Sequence, residues 1–393
     1  MVYTRQIFNQ LERELSSREA TVITGMRRVG KTTAMLHLYN LVSSNNKALF
    51  DLENPLHRKV FEEENYDAVW NNLKSFGVHS KEKAYLFIDE VQNLPGISRV
   101  VKYLYDHYDV KFILTGSSSY YLRNLFPESL AGRKVIYEMF PLTFEEFLVF
   151  RGIQRPKNMS FAQMARDKNP VTHERLLPFY REYLEYGGFP SVVLEQNPER
   201  KRVLLTEIFT SYFEKDAKNL ADFTDMARLR DLILLLTARI ASRLEIHKLA
   251  LELGVSRQTI YNYLAFLNDT YFITMLPRYS KSVDRQAAGS AKLFLCDCGM
   301  ANVLGRISEG QLLEQGVFQA LRPLHTLNYF AKEKGQEIDF ILDSRMALEV
   351  KTSTSRHDIT TLEKRIETLN IHECYIVSYT FSNEEQVIAV TDL

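Results

Sequence analysis

The segment that most restricts the fold of this chain is a glycine-rich loop between a predicted strand and a predicted helix. The loop Gly25-Met-Arg-Arg-Val-Gly-Lys31-Thr32 fits the pattern G-x-x-x-x-G-K-[ST] and lies between the apolar run 20–24 and the helical stretch 31–43. Its glycines allow backbone N–H groups to point inward at a phosphate, and the helix N-terminus adds partial positive charge. A chance Gly-Lys-Thr turn would need neither flanking element. The pattern therefore predicts a nucleotide-binding loop in an α/β fold.

Two further segments are placed to complete a nucleotide site. A second apolar run ends in Asp89 and Glu90, at the edge where ligands of open α/β sheets bind. Asp89 is expected to hold the Mg²⁺ shell, and Glu90 to orient or deprotonate the attacking water. After the next predicted strand, Ser117 or Ser118 is expected to sense the γ-phosphate, with a helix N-cap as the alternative role. The residues expected to bind ATP are Gly25, Arg28, Val29, Gly30, Lys31, Thr32 and Thr33, and Thr32 is also expected to ligate the Mg²⁺.

The order of strand-like and helix-like runs predicts several parts. Strands and helices alternate up to about residue 140, which indicates βαβ units and a parallel sheet. Helical spacing then dominates, with a break at Gly187-Gly188-Phe189-Pro190, and β-rich runs return near the C-terminus. We predict a P-loop ATPase domain over 1–140, a helical linker or lid over 141–240, a winged-helix module over 241–286 and a nuclease-like domain over 287–393.

The combination of these motifs resembles the AAA+ ATPases. Their order along nearly the whole chain, from Leu130-Ala-Gly-Arg133 to Glu349-Val-Lys351, is similar to a bacterial and archaeal AAA-type family with a C-terminal restriction-endonuclease-like domain. The resemblance implies an α/β chain with a P-loop AAA+ core, a helical and winged-helix middle, and an α/β C-terminal domain. It also implies a homo-oligomer, a hexamer by analogy, in which Arg133 acts on a neighbouring subunit's nucleotide. Arg123 is the alternative arginine.

Residues 245–264 are typical of a helix, a turn and a second helix. Gly254 is a natural helix terminator and Ser256 a natural N-cap. Helical spacing should bury one face and display three side chains that suit phosphates and base edges, namely Arg257, Gln258 and Asn262. These three are the predicted DNA contacts. Because the module is only weakly basic, a packing or subunit-interface role is the alternative.

A set of carboxylates near the C-terminus predicts a second site. Asp339 begins one predicted strand, and Glu349 and Lys351 share a face of the next, while Glu314 lies on an upstream helix. Two or three carboxylates around one point can bind Mg²⁺ and activate water. The spacing looks like the PD-(D/E)xK nuclease pattern, which implies Glu314, Asp339 and Glu349 on the metal and Lys351 beside the scissile phosphate. A chance cluster is the alternative, because the motif is short and charges are common on exposed strands. Residues 286–393 hold ten Lys and Arg against fifteen Asp and Glu, an acidic balance that disfavours non-specific DNA binding unless a metal ion offsets it.

Composition narrows the function classes. Lys and Arg number 49 and Asp and Glu also number 49, which argues against a histone-like polycation. The apolar runs are short, the N-terminus has no apolar signal region, and three cysteines cannot build a disulfide framework, so we expect a cytoplasmic protein with no membrane partner. The predicted function is Mg²⁺-dependent ATP hydrolysis that remodels or processes DNA, with metal-dependent cleavage left open. The alternative is a nucleotide-controlled switch whose middle and C-terminal modules bind a protein partner.

Overall fold

The chain divides into two compact units. The computed structural model describes residues 3–117, 132–153, 159–217, 226–280, 290–332 and 336–393. The first unit comprises Met1–Phe140 and Asp269–Tyr271, and the second comprises Pro141–Asn268 and Phe272–Leu393. Within the described ranges, no helix combines the length and the apolar character that crossing a membrane requires.

The first unit is built around a five-stranded parallel sheet of order β2-β3-β4-β1-β5. The strands are β1 (Ala20–Thr24), β2 (Lys47–Asp51), β3 (Ala84–Asp89), β4 (Val110–Gly116) and β5 (Lys134–Glu138). The helices are α1 (Phe8–Arg13), α2 (Lys31–Leu41), α3 (Pro55–Lys59), α4 (Tyr66–Lys74) and α5 (Ile97–His107). The predicted parallel sheet is confirmed, and the apolar run 20–24 forms β1 as predicted. Helices α3 and α4 were not predicted.

The sheet brings three chain segments to one edge. Strands β1 and β4 are buried at every position, as expected for inner strands of a parallel sheet, whereas the edge strand β5 has no buried residue. Because β1, β3 and β4 run in the same direction, their carboxyl ends lie along one edge. The glycine-rich loop, the Asp89-Glu90 pair and Ser117 therefore lie at the same edge.

The second unit begins as a helical assembly. Its helices are α6 (Phe144–Phe150), α7 (Phe161–Arg166), α8 (Pro170–Tyr186), α9 (Pro190–Leu194), α10 (Pro198–Ser211), α11 (Met226–Thr237), α12 (Ile246–Leu253), α13 (Arg257–Asp269), α14 (Cys298–Leu304), α15 (Glu309–Leu321) and α16 (Arg356–Glu367). A π-helical turn, Tyr212–Ala217, continues α10. The described residues between 141 and 240 contain no strand, which agrees with the predicted helical stretch.

A mixed sheet forms the C-terminal part of this unit. It contains β8 (Leu327–Ala331), β9 (Glu337–Leu342), β10 (Met346–Lys351), β11 (Glu373–Ser378) and β12 (Val387–Ala389), in the order β12-β11-β10-β9-β8. The pairs β8–β9 and β9–β10 are antiparallel, while β10–β11 and β11–β12 are parallel. Helix α16 makes the crossover that the parallel β10–β11 pair requires, and its Ile359, Leu362 and Ile366 pack in one core with Ile338 and Ile376 of the sheet.

The strand in the predicted winged-helix module has a partner strand that lies farther along the chain. Strand β6 (Ile273–Leu276) pairs antiparallel with β7 (Lys292–Leu295), which the sequence placed in the C-terminal part. The two-stranded sheet therefore includes residues from both sides of the predicted boundary at 286–287.

The break at Gly187-Gly188 is a close-packing site. Gly187 has φ 75°, and a Cβ atom there would lie 1.8 Å from the Asp297 Oδ1 atom. Asp297 is fully buried, and its carboxylate accepts hydrogen bonds from the backbone N–H of Gly188 (2.7 Å) and of Gly299 (2.9 Å) and from Gln319 Nε2 (2.9 Å). Two distant segments of the sequence thus fit together only because glycine has no side chain.

Candidate functional site

The glycine-rich loop closes around the Lys31 ammonium. Lys31 is 4% exposed, and its Nζ atom donates to the carbonyl oxygens of Gly25 (2.9 Å) and Met26 (3.0 Å). Gly25 has φ 143°, and a Cβ atom there would lie 2.1 Å from the carbonyl oxygen of Met139. Gly30 has φ 102° and caps the N-terminus of α2. Both glycines are therefore required by backbone conformation, and the first also by close approach of the chain after β5.

Asp89 connects the loop to the two neighbouring strand ends. Its Oδ2 atom accepts a hydrogen bond from Thr32 Oγ1 at 2.8 Å, and its Oδ1 atom accepts one from Thr115 Oγ1. Burial raises the pKa of Asp89 and outweighs the lowering by these hydrogen bonds. A cation at this carboxylate would therefore stabilise its charged form. Asp89 and Thr32 lie together as the sequence predicted. The hydroxyl of Thr115 at the end of β4 was not among the predicted site residues.

Glu90 lies in a hydrogen-bonded chain that reaches β4. The Gln92 side chain donates to Glu90 Oε2 and, at 2.9 Å, to Ser117 Oγ. The Glu90 backbone N–H donates to Thr115 Oγ1 at 3.0 Å, and Glu90 has φ 55°, an uncommon conformation for a residue other than glycine. Ser117 thus lies one side chain away from Glu90. Ser118, the other predicted sensor, lies outside the described residues, as does Arg123.

The N-terminal segment contacts the backbone of the glycine-rich loop through Arg5, and the sequence did not predict this contact. Arg5 is 6% exposed and donates to the carbonyl oxygens of Val29 (3.0 Å) and Phe140 (2.9 Å). Arg27 lies 3.8 Å from Glu53, and Arg28 has φ 64°. No pattern in the sequence marks Arg5, because its partners are backbone atoms far along the chain.

Arg133 lies at the opposite edge of the sheet from Lys31. It directly precedes β5, and its carbonyl oxygen accepts from the backbone N–H of Ala20 at the start of β1. Lys31 follows the other end of β1, and this strand is five residues long with a rise of about 3.3 Å per residue. The Arg133 Nε atom is 3.1 Å from Asp106 Oδ1. Arg133 therefore does not join the group around Asp89 in its own chain.

Comparison with known proteins agrees with this geometry. Residues 17–148 match a family model described as an AAA domain. Residues 178–311 match a second family, described as a domain of unknown function (DUF8612). An uncharacterized protein of Methanocaldococcus jannaschii is 27% identical over 96% of this chain and 86% of its own length. An uncharacterized protein of Haemophilus influenzae is 27% identical over 86% of this chain and 84% of its own length.

Two solved structures resemble the chain at low sequence identity. A RuvB variant of Thermotoga maritima covers 70% of this chain and 91% of its own chain at 15% identity, with a TM-score of 0.35. Domain III of the Thermotoga maritima replication initiation protein DnaA covers 53% and 94% at 17% identity, with a TM-score of 0.28.

Outside residues 17–148, the predicted helix–turn–helix is confirmed. Helix α12 ends at Gly254 with φ 64°, and Ser256 Oγ accepts from the Thr259 backbone N–H at 3.0 Å at the start of α13. Five side chains on α13 are buried, and they include the three that the spacing predicted, Ile260, Leu264 and Leu267. Three others are exposed as expected, Arg257, Gln258 and Asn262. Gln258 Nε2 donates to Asn262 Oδ1 at 3.0 Å, so these two form one polar patch.

The C-terminal carboxylates converge, but they do so on a lysine. The Lys292 Nζ atom lies 2.6 Å from Glu314 Oε1, 2.8 Å from Glu337 Oε1 and 3.3 Å from Asp339 Oδ1. Burial lowers the pKa of Lys292, but attraction to Asp339, Glu314 and Glu337 outweighs it and the net pKa is raised. Burial also raises the pKa of Glu314, to about 8. The sequence predicted Glu314 and Asp339 but neither Lys292 nor Glu337.

The remaining predicted residues of this site lie on the same hairpin. Asp339 Oδ2 accepts from the Val350 backbone N–H at 2.9 Å, which confirms that β9 and β10 bring the strand acids together. Lys351 Nζ is 3.3 Å from Glu349 Oε2, and Arg365 forms an ion pair with Glu349 Oε1. Within the described ranges, no three His, Cys, Asp or Glu side chains are placed to hold a metal ion. The predicted metal ligands Glu314, Asp339 and Glu349 therefore lie near one another without forming a metal site in this structure.

Proposed function

We propose that the AAA domain hydrolyses ATP with Mg²⁺. The observation that carries the proposal is Asp89, held by Thr32 on one side and Thr115 on the other beside the enclosed Lys31. Carboxylate and hydroxyl oxygens are the ligands that Mg²⁺ takes, so Thr32 and Asp89 fit the ion. When bound, Mg²⁺ would neutralise charge on the β- and γ-phosphates. Lys31 would bind the same phosphates, and the loop N–H groups from Gly25 to Thr33 would surround them.

Glu90 is the residue we propose as the base. In this role its carboxylate would orient the attacking water and accept its proton. Gln92 would hold the Glu90 side chain in place and link it to Ser117. Hydrolysis by the purified full-length chain should therefore require Mg²⁺ and stop when EDTA is added.

We further propose that hydrolysis is coupled to remodelling or processing of DNA. The support is the exposed set Arg257, Gln258 and Asn262 near the start of a helix that follows a turn, which suits contact with phosphates and base edges. The competing proposal is a nucleotide-controlled switch that binds a protein partner, and the acidic C-terminal region supports it. Metal-dependent cleavage has less support, because Lys292 lies where the carboxylates converge.

DNA should raise the ATPase rate if the coupling is correct. The measurement is the steady-state rate with single-stranded, duplex and branched DNA, for the wild type and for an Arg257→Ala/Gln258→Ala/Asn262→Ala variant. The stimulation should be lost in the variant while the basal rate stays. Substitution of two exposed arginines elsewhere in the second unit, Arg175→Ala/Arg200→Ala, provides the matched control and should keep the stimulation. No stimulation of the wild type by any DNA would favour the protein-partner switch.

Arg133 should act between subunits of a homo-oligomer. Arg133→Ala is expected to slow hydrolysis by about 10³-fold or more, because an arginine finger neutralises charge on the transferred phosphoryl group. Mixing Arg133→Ala with Lys31→Ala subunits should restore part of the rate, at interfaces that combine an intact Lys31 with an intact Arg133. Mixing Arg133→Ala with a Lys31→Ala/Arg133→Ala double variant should restore none. A chain that stays monomeric at micromolar concentration while hydrolysing at full rate would contradict this role.

A further inference from the structure

The C-terminal carboxylate cluster contains its own cation. We infer that the Lys292 ammonium takes the position that a divalent metal ion would need, so that this site is complete without metal. Lys292 is 1% exposed and lies on β7. Its Nζ atom is surrounded by carboxylates from two other elements, Glu314 on α15 and Glu337 and Asp339 on β9, at 2.6 to 3.3 Å.

The number of N–H donors on the Lys292 ammonium equals the number of carboxylates around it. A lysine ammonium has three N–H donors and no acceptor, and three carboxylates lie within ion-pair distance of it. A divalent ion among the same oxygens would have to lie beside a buried positive charge, where repulsion is poorly screened. The ammonium and a metal ion therefore exclude each other.

The two strand acids are also fully engaged. Asp339 directs one oxygen to Lys292 and the other to the Val350 backbone N–H. Glu349 directs one oxygen to Arg365 and the other to Lys351. Each oxygen that a metal ion would use on these two carboxylates already contacts a cation or a donor.

Charge balance gives the same result. The cations Lys292, Lys351 and Arg365 face four carboxylates, those of Glu314, Glu337, Asp339 and Glu349. At most one negative charge is left for a divalent ion to neutralise, so the desolvation of the ion would be weakly compensated. This inference concerns the second unit and is independent of ATP hydrolysis by the AAA domain.

The test is Mn²⁺ binding to the full-length chain without nucleotide, measured by calorimetry and by the electron paramagnetic resonance signal of free Mn²⁺. The wild type and Asp339→Asn should bind Mn²⁺ equally, because Asp339 has no metal to lose. Lys292→Ala, which removes the ammonium and leaves space, should gain one Mn²⁺ per chain. The gain should disappear in Lys292→Ala/Asp339→Asn.

A matched control is Lys201→Ala. Lys201 is also buried, at 2% exposure, but its Nζ atom faces a single carboxylate, that of Glu182, at 3.0 Å. This variant should gain no Mn²⁺. A folded Lys292→Ala variant that binds no more Mn²⁺ than the wild type would overturn the inference.

Loss of folding in Lys292→Ala would not leave the question open. Recovery of the folded state by Mn²⁺, or in the milder Lys292→Gln variant that keeps amide donors, would support the inference. If neither variant folds, the comparison of wild type with Asp339→Asn decides. Mn²⁺ binding to the wild type that Asp339→Asn abolishes would show that metal and Lys292 coexist, and the inference would fail.

Discussion

Glu90→Gln is expected to leave ATP binding close to the wild-type level and to lower the hydrolysis rate by about 10²–10⁴-fold, the usual contribution of a general base. The amide can still contact Gln92, so the local hydrogen bonds persist, but it cannot accept a proton from water. Lys31→Ala should instead weaken ATP binding by about 10²-fold or more, because the phosphates lose an enclosed, charge-assisted hydrogen-bond donor. The measurements are equilibrium binding of a fluorescent ATP analogue and single-turnover hydrolysis.

The two variants are informative because their effects should separate. Glu82→Gln is the matched control for removing one carboxylate, since Glu82 is exposed and lies before β3, away from the loop. It should change neither quantity. An equal loss of ATP affinity in Glu90→Gln and Lys31→Ala would contradict the distinction between a phosphate ligand and a base.

Gly187→Ala is expected to destabilise the second unit by more than about 4 kcal/mol. A methyl group there would overlap Asp297 Oδ1 at 1.8 Å, and φ 75° adds left-handed strain. Relief of the overlap would pull a fully buried carboxylate away from its donors, and unpaired buried charge is among the few causes of losses this large. The measurement is the urea midpoint followed by far-ultraviolet circular dichroism.

A second glycine in the same unit separates steric overlap from strain. Gly254 also has a left-handed φ, 64°, but a Cβ atom there would meet nothing within 4 Å. Gly254→Ala should therefore cost only about 1–2 kcal/mol. Trp70, the single tryptophan of the chain, lies in the core of the first unit, so its fluorescence reports that unit separately. Equal losses in the two variants would contradict the close-packing explanation.

The features that the sequence predicted well depend on neighbouring residues. Short sequence segments were enough to predict three features, because each depends on the backbone of a single turn or strand end. These features are the glycine-rich loop, the acids that end β3, and the Gly254 and Ser256 boundaries of the helix–turn–helix. The parallel order of β1, β3 and β4 follows from their alternation with helices. The edge of the sheet then places Asp89 near Thr32 without further information.

The features that the sequence did not predict depend on residues far apart in the chain. The residues next to Lys292 in the sequence indicate an ordinary solvated lysine at the start of a strand. Only the fold brings Glu314 and Asp339 close to it. Arg5 likewise contacts the carbonyl oxygens of Val29 and Phe140, which no side-chain pattern can indicate. The Gly187-Gly188 pair was recognised as a break, but its partner Asp297 lies more than a hundred residues later.

The pairing of β6 with β7 determines how this protein can be dissected genetically. A stop codon at the predicted boundary would delete the nuclease-like region together with β7, leaving β6 without its neighbour. Such a truncated chain would expose an unpaired strand edge and an apolar face, and both promote aggregation. A phenotype of that deletion could therefore arise from the damaged β6–β7 sheet as well as from the missing domain. A point substitution at Asp339, which leaves both β6 and β7 in the chain, is the allele that tests the carboxylate cluster in a cell without this damage.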